Sequence, residues 1–216
     1  MAESIITIRN LSCAYISRSF GLFGGKKIKP VLHNINLDIA AGAIFGITGE
    51  SGCGKTTLAR CILGLVDYEG EIIINSQPQM IFQDPGASLN PVKKIGWLLE
   101  EPLVIHRLGT AQERAYKVDA MLARIGLDPS CKTRRANELS GGQKQRVCIG
   151  RALMLDPKIL IADEAISSLD VSAGAQILNL FRELRESMGL TILFISHNTE
   201  AVDYLCDNGM VMESLL

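Results

Sequence analysis

Gly49 to Thr56 read GESGCGKT, the G-x-x-x-x-G-K-[ST] spacing of a phosphate-binding loop between a predicted strand (43–48) and a predicted helix (58–66). Gly49, Gly52 and Gly54 let the backbone curl with its N–H groups turned inward, so Glu50, Ser51 and Cys53 belong to the same cradle. Lys55 is a flexible point charge able to reach β- and γ-phosphates. Thr56 offers a hydroxyl to Mg²⁺, and Thr57 adds a donor at the helix start. Cys53 carries a further expectation. A helix end that attracts anions makes a nearby thiol reactive, so alkylating Cys53 should block ATP binding and bound ATP should protect it.

The run KILIADEAISSLD places Asp163 and Glu164 at the carboxyl end of a buried, apolar strand. Ligands of open α/β sheets bind at that edge. There Asp163 would hold Mg²⁺, directly or through water. Glu164 would orient or deprotonate an attacking water. With Lys55 and Thr56 these make a phosphoryl-transfer constellation, and transfer to water needs no acceptor site.

A third stretch, NELSGGQKQRV (137–147), starts a helix without carrying chemistry of its own. Ser140 is a good N-cap, and Gln143 three residues later completes a capping-box pattern. Gly141 and Gly142 in the first turn each cost about 1 kcal/mol against alanine. A helix start that bare is an anion site. It has no nucleophile and no acid–base pair, so the rest of its site must come from elsewhere.

These residues need a scaffold, and the chain supplies one. Its 216 residues fit one domain, or a domain with a subdomain, and can bury a substantial core. The formal net charge of -1 gives no electrostatic ground for a nucleic-acid partner. No run of about 18 apolar residues occurs. The N-terminus, MAESIITIRN, lacks a basic region followed by an apolar one, so a signal peptide is not expected. Cysteines at 13, 53, 61, 131, 148 and 206 form no CxxC pair and read as reduced thiols, several of them core fillers.

IITIRNL and VLHNINLDI alternate as strands, with SRSFGLFGGKKIKP between them as a loop. AIFGIT is a buried strand, and EGEIIIN and QMIFQD are further strands. From 85 to 138 the spacing turns helical, in WLLEEPLVI and QERAYKVDAMLARIGL. Of its apolar residues Ile95, Trp97, Leu98 and Leu99, most are expected in the core. A helix then runs through Met154 to the Asp156-Pro157 stop. KILIADEA and LTILFISH are buried strands, separated by a helix closed by Gly189, and a helix, turn and short strand complete the chain. Apolar strands alternating with helices imply a mostly parallel sheet covered on both faces. The expected fold is α/β, a P-loop NTPase (RecA-like) core with a mostly parallel sheet, an N-terminal antiparallel β subdomain and an inserted α-helical subdomain. Residues 1–84 and 151–216 would form the core with its β subdomain, and 85–150 the helical part with LSGGQ.

Taken together, these elements resemble the ATPase subunits of ATP-binding cassette (ABC) transporters over essentially the whole chain. LSGGQ (139–143) matches the family signature, and GESGCGKTT, Gln83 of IFQDP, ILIADE, SSLD (167–170) and His197 of LFISHN lie in the family's order. The resemblance implies that two cassettes pair head to tail and that the signature of one caps the ATP held by the other. Ser140, Gly141, Gly142 and Gln143 would then bind a partner's γ-phosphate, the glycines allowing close backbone approach. It also implies that Gln83 touches Mg²⁺ and the water, that His197 contacts the γ-phosphate, that Tyr15 stacks on adenine, and that Asp170 lies at the dimer seam. His33 and His106 match no family position and read as structural or surface residues.

FQDPGASLNP, GLFGGKKIKPVL and DEAISSLDVSAGAQIL are similar to the oligopeptide, dipeptide and nickel import branch. That implies a second cassette subunit (identical or different), two membrane permease subunits, an extracellular substrate-binding protein acting indirectly, and no nucleic acid. The place implied is the cytoplasmic face of a bacterial or archaeal membrane. Ala165 stands where most of the wider family has proline, though this branch often has alanine. Many members of the branch extend beyond VMESLL with cysteines near an iron–sulfur site, and no such cluster is carried over. Two other classes stay open at this point. A soluble cassette ATPase acting on nucleic acid or ribosomes would need a coiled coil or tandem cassettes, which are absent from this sequence. A regulatory nucleotide-binding module would not need Glu164 and His197.

Overall fold

The computed structural model describes residues 4–18 and 26–213. The strands β1 (Ser4–Arg18), β2 (Lys26–Ala40) and β3 (Ile44–Gly49) come first, then helix α1 (Lys55–Ile62) and strands β4 (Glu69–Ile74) and β5 (Pro78–Ile81). The helical part holds α2 (Pro85–Ser88), α3 (Ile95–Ile105), α4 (Ala111–Arg124) and α5 (Gly141–Leu153). After it come β6 (Ile159–Asp163), α6 (Val171–Met188), β7 (Thr191–Ile195), α7 (Thr199–Leu205) and β8 (Asn208–Met212).

Two sheets result. β2-β1-β4 is antiparallel, and β5-β6-β7-β3-β8 is parallel at every pairing. Because all five strands of the second sheet run the same way, their carboxyl ends share one edge. That edge carries the ends of β3, β5, β6 and β7, hence Gly49, Gln83, Asp163–Glu164 and Ser196–His197.

Side-chain alternation divides the core between the sheet's two faces. Ile159, Ile161, Leu193 and Ile195 meet α1 and the antiparallel sheet, in a cluster with Ile6, Ile8, Leu37, Ile39, Leu58 and Ile62. Leu160, Ala162, Ile192 and Phe194 face the other way, among Leu98, Leu122, Ile149, Phe181 and Val202 from the helices. Burying an aliphatic side chain fully is worth about 1.5–3 kcal/mol, so both layers hold the sheet from either side. The helical cluster is continuous with the sheet cluster, and the boundary expected at residue 150 falls inside α5. Ile95, Leu98 and Leu99 are buried there, whereas Trp97 is half-exposed beneath the Lys93 ammonium, 4.4 Å from its ring centre.

The first hairpin departs from expectation. SRSFGLFGGKKIKP reads as a loop, yet Ser17–Arg18 and Lys26–Pro30 are strand residues, in register Ser17↔Lys27 and Tyr15↔Lys29. Cross-strand pairing carries these polar residues where composition alone argues against a strand. Residues 19–25 of that expected loop lie outside the described residues. Smaller shifts occur at helix ends. α1 starts at Lys55 and stops at Ile62, ahead of Gly64 at φ 67°, and α6 begins two residues before AGAQ because Asp170 caps it. Gly189 closes α6 in the left-handed region, as its position predicts.

Candidate functional site

Gly54 opens α1 with no side-chain cap, so the first amides of that helix point into open space without a partner residue. Thr110, Ser140, Asp170 and Asn198 each cap their own helix, and α3, which also lacks a side-chain cap, has its Ile95 N–H bonded to the Arg134 carbonyl at 2.9 Å. A bare helix start inside a glycine loop is suited to an anion. The loop is held tightly. At Gly49 (φ 145°) a Cβ would overlap the Met212 carbonyl oxygen, and at Gly54 (φ 105°) it would lie 2.7 Å from Leu32 Cδ2. Lys55 is buried and folds back, its Nζ donating to the carbonyls of Gly49 (2.7 Å) and Glu50 (2.9 Å).

A cavity of about 400 Å³ opens over this loop, lined in part by Tyr15, Ser51, Gly52, Gly54, Lys55 and Thr56. Thr57, Gln83 and Glu164 also line it, whereas Gly49, Glu50, Cys53, Asp163 and His197 of the expected set do not, and Lys29 and Val31 join from β2. Sequence reasoning missed those two. Lys29 fell in the segment read as a loop, and Val31, the first residue of the expected strand VLHNINLDI, is an apolar residue that nothing in the sequence marked as a pocket wall. Tyr15 Oη lies 3.3 Å from Thr57 Oγ1, so the ring spans from β1 to the helix start.

Thr56 Oγ1 donates to Asp163 Oδ2 at 2.8 Å. Asp163 is 4% exposed, and its Oδ1 is buried without a hydrogen-bond partner. Burial pushes the Asp163 carboxyl up from its ordinary value, the Thr56 bond pulls it down, and the neighbouring Glu164 charge adds to the push. A carboxylate oxygen orphaned beside a hydroxyl, at the edge of a phosphate pocket, has the hard-oxygen donor set that Mg²⁺ takes. These residues therefore fit the cation.

Glu164 follows with φ 52°, a left-handed backbone that a non-glycine residue rarely holds. The Glu164 N–H donates to the Ile195 carbonyl (2.9 Å), and the Glu164 carbonyl accepts from Ser167 Oγ (2.9 Å). The strain turns the side chain over the pocket edge, where His197 Nδ1 meets Oε2 at 2.8 Å. A carboxylate fixed in this way can take a proton from water.

Against the reactivity expected of Cys53, its side chain is 2% exposed and packs in the cluster under the loop, with Leu58 and Met212, while its Sγ lies 3.9 Å from Lys55 Nζ. Ser140, Gly141, Gly142 and Gln143 are absent from the pocket lining. The Ser140 hydroxyl caps the Gln143 amide (3.3 Å), and Gln143 Oε1 accepts from the Ser140 N–H (3.1 Å). The two glycines between them sit against α6 and the turn before it. A Cβ on Gly141 would lie 3.4 Å from Leu169, and one on Gly142 would lie 3.3 Å from Ala173. Asp170 caps α6 through the Ala173 amide at 2.8 Å.

A parallel sheet that gathers a glycine loop and a carboxylate pair at one edge is the architecture of a phosphate-loop ATPase. The family model described as "ABC transporter" matches residues 32–167, and the chain belongs to that family. It is 42% identical to the oligopeptide transport ATP-binding protein AppF of Bacillus subtilis, covering 97% of this chain and 69% of that protein. It is 39% identical to the dipeptide transport ATP-binding protein DppF of Escherichia coli, over 89% of this chain and 63% of that protein. Among solved structures it resembles the dimeric, post-hydrolysis ATP-binding cassette MJ0796 bound to ADP and Pi, with a TM-score of 0.81 and 27% identity over 98% and 97% of the two chains. The chain is thus an ATP-hydrolysing, energy-coupling ABC subunit. Among the described residues no helix is long and apolar enough to cross a membrane.

Proposed function

We propose that this subunit powers peptide import by closing on a second cassette around ATP and hydrolysing it. The observation that carries the reading is Glu164, which lines the same pocket as Lys55 and Thr56 and is held by His197 at 2.8 Å. The nucleotide lies along the loop Gly49–Thr57, with Glu50, Ser51, Gly52, Cys53 and Gly54 contributing backbone and Lys55 leaving the loop carbonyls for the β- and γ-phosphates. Tyr15 stacks on the base. Thr56, Asp163 and Gln83 hold Mg²⁺, which neutralises charge that builds on the phosphates. His197 occupies one oxygen of Glu164, and Oε1 remains to take the proton of the attacking water.

Ser140, Gly141, Gly142 and Gln143 face the nucleotide of the partner. Their absence from this chain's own pocket and the dimeric state of the related cassette both support that reading. The γ-phosphate, bridging two subunits, supplies the differential affinity that favours the closed form. Residues 1–84 and 151–216 act as the core and 85–150 as the helical part that meets a permease. Two permease subunits receive the cassettes at the cytoplasmic face of the membrane, and an extracellular binding protein delivers cargo from the other side. Peptides are favoured over nickel chelates as cargo because the relatives are named for oligopeptide and dipeptide transport.

The test is Glu164→Gln. The variant should bind MgATP, lose turnover, and form an ATP-dependent dimer by light scattering. Undiminished turnover would remove Glu164 from its role. In the assembled transporter, a peptide-loaded binding protein should raise ATPase activity, and stimulation by nickel chelates alone would replace peptide as the cargo.

A further inference from the structure

Lys29 lines the nucleotide pocket and forms no salt bridge or hydrogen bond among the described residues. It sits directly across from Tyr15 in the antiparallel pair β1–β2, so the two side chains project from the same face. Val31, two residues on, lines the same pocket and packs against the loop, with its Cγ1 3.1 Å from the position of a Cβ on Gly54. The register shifts at Val31, between the pairs Ala14↔Pro30 and Cys13↔Leu32, and Lys29 lies on the Tyr15 side of that shift.

The two lysines of the pocket therefore occupy different ends. Lys55 is anchored at Gly49 and Glu50 and belongs to the β- and γ-phosphates. Tyr15, in contact with Thr57, marks the opposite end, where the helix start holds the α-phosphate and the base lies beyond. Lys29, exposed and across from that ring, has a flexible stem, and the one carboxylate lining the pocket among the described residues, Glu164, forms no salt bridge with it.

We propose that Lys29 is a second nucleotide-binding cation, set at the α-phosphate end of the bound nucleotide by its cross-strand pairing with Tyr15. The inference rests on the reading of this cavity as the ATP site. It carries a selectivity consequence. A contact at the α-phosphate is made equally by ATP and ADP, so Lys29 contributes to holding either nucleotide and not to telling them apart.

The experiment measures MgATP and MgADP affinities by calorimetry for Lys29→Gln, Lys29→Arg, Tyr15→Ala and Lys55→Ala at low and high salt. Lys29→Gln should weaken both nucleotides by the same factor, about two- to five-fold at low salt, as an exposed ion pair would, with the loss shrinking at high salt. Lys29→Arg should restore affinity. Loss for ATP alone would move Lys29 to the γ-phosphate and overturn the placement. A loss that is independent of salt and not rescued by arginine would show a structural effect and overturn the proposal. No loss in Lys29→Gln, with clear losses in Tyr15→Ala and Lys55→Ala, would reduce Lys29 to a solvated strand residue. If those two variants also bind normally, the reading of the cavity itself fails.

Discussion

His197 Nδ1 stands 2.8 Å from Glu164 Oε2, and the backbone beneath that carboxylate is left-handed at φ 52°. The imidazole is largely exposed, at 61%, while the carboxylate is 12% exposed. The histidine thus acts from solvent on a group the fold has already aimed. His197→Ala should lower ATP turnover by about ten- to hundred-fold, the lower part of what a positioned proton-transfer group supplies, and leave MgATP affinity nearly intact. Steady-state ATPase assays beside nucleotide titration check this. Equal losses in affinity and turnover would place His197 in binding instead.

Asp163 links the site to stability. Burial raises its folded pKa, so the folded chain holds that proton more tightly than the unfolded chain does. This contribution is fully present below the unfolded value of 3.8 and is lost as pH rises through the folded value. At neutral pH the nucleotide-free protein carries the loss. Asp163→Asn keeps an acceptor for Thr56 and should raise stability without metal by about 1 kcal/mol, or a few degrees in Tm. It should also shrink the extra stabilisation given by MgATP. Thermal denaturation with and without MgATP reads both effects, and a destabilised metal-free variant would contradict the argument.

Gly49 and Gly52 predict a contrast within one loop. At Gly49 a Cβ would overlap the Met212 carbonyl and come 2.9 Å from Cys53 Sγ, whereas at Gly52 it would meet nothing within 4 Å. Gly49→Ala should cost more than about 2 kcal/mol and abolish nucleotide binding. Gly52→Ala should cost only the left-handed penalty, about 1–2 kcal/mol. Urea denaturation separates them, and equal costs would mean that the Met212 contact yields easily.

The thiols should be quiet. Cys13, Cys53, Cys61, Cys131 and Cys148 are buried, and Cys206 is partly so. Burial pushes Cys61, Cys148 and Cys206 up to about 12. A disulfide reagent at pH 8 should therefore react slowly with native protein and with all 6 cysteines after unfolding. MgATP binding should survive native treatment. Its rapid loss would show that Cys53 reaches the pocket after all.

Gly142→Asp tests completion by a partner. An acid in the first turn suits the helix dipole, and its Cβ, 3.3 Å from that of Ala173, asks only a small shift of α6, so α5 should form. The subunit should still bind MgATP, but the ATP-dependent dimer of Glu164→Gln should vanish when the two changes are combined. Persistence of that dimer in light scattering would move the signature away from the nucleotide.

Much of this was legible because strong local patterns agreed with tertiary context. GESGCGKT lay between apolar strand and helix, and the acids followed ILIA, so both fell on the same sheet edge. Other features depended on the partner segment. Whether KKIKP pairs as a strand depends on β1, and its composition hides that. The direction of Cys53 within the loop is set by packing against Met212 and Leu58, which no local pattern encodes. The left-handed backbone of Glu164 likewise runs against residue preference and is sustained by Ile195, 31 positions away in sequence.

The grip of Lys55 on the carbonyls of Gly49 and Glu50 bears on what happens between cycles. An ammonium as buried as that of Lys55 needs polar partners. Here the ammonium has two loop oxygens within 3 Å, so exchanging them for phosphate oxygens is a local change of partners. Resetting the enzyme then requires a side-chain swing, fast on the scale of turnover, and no rebuilding of backbone.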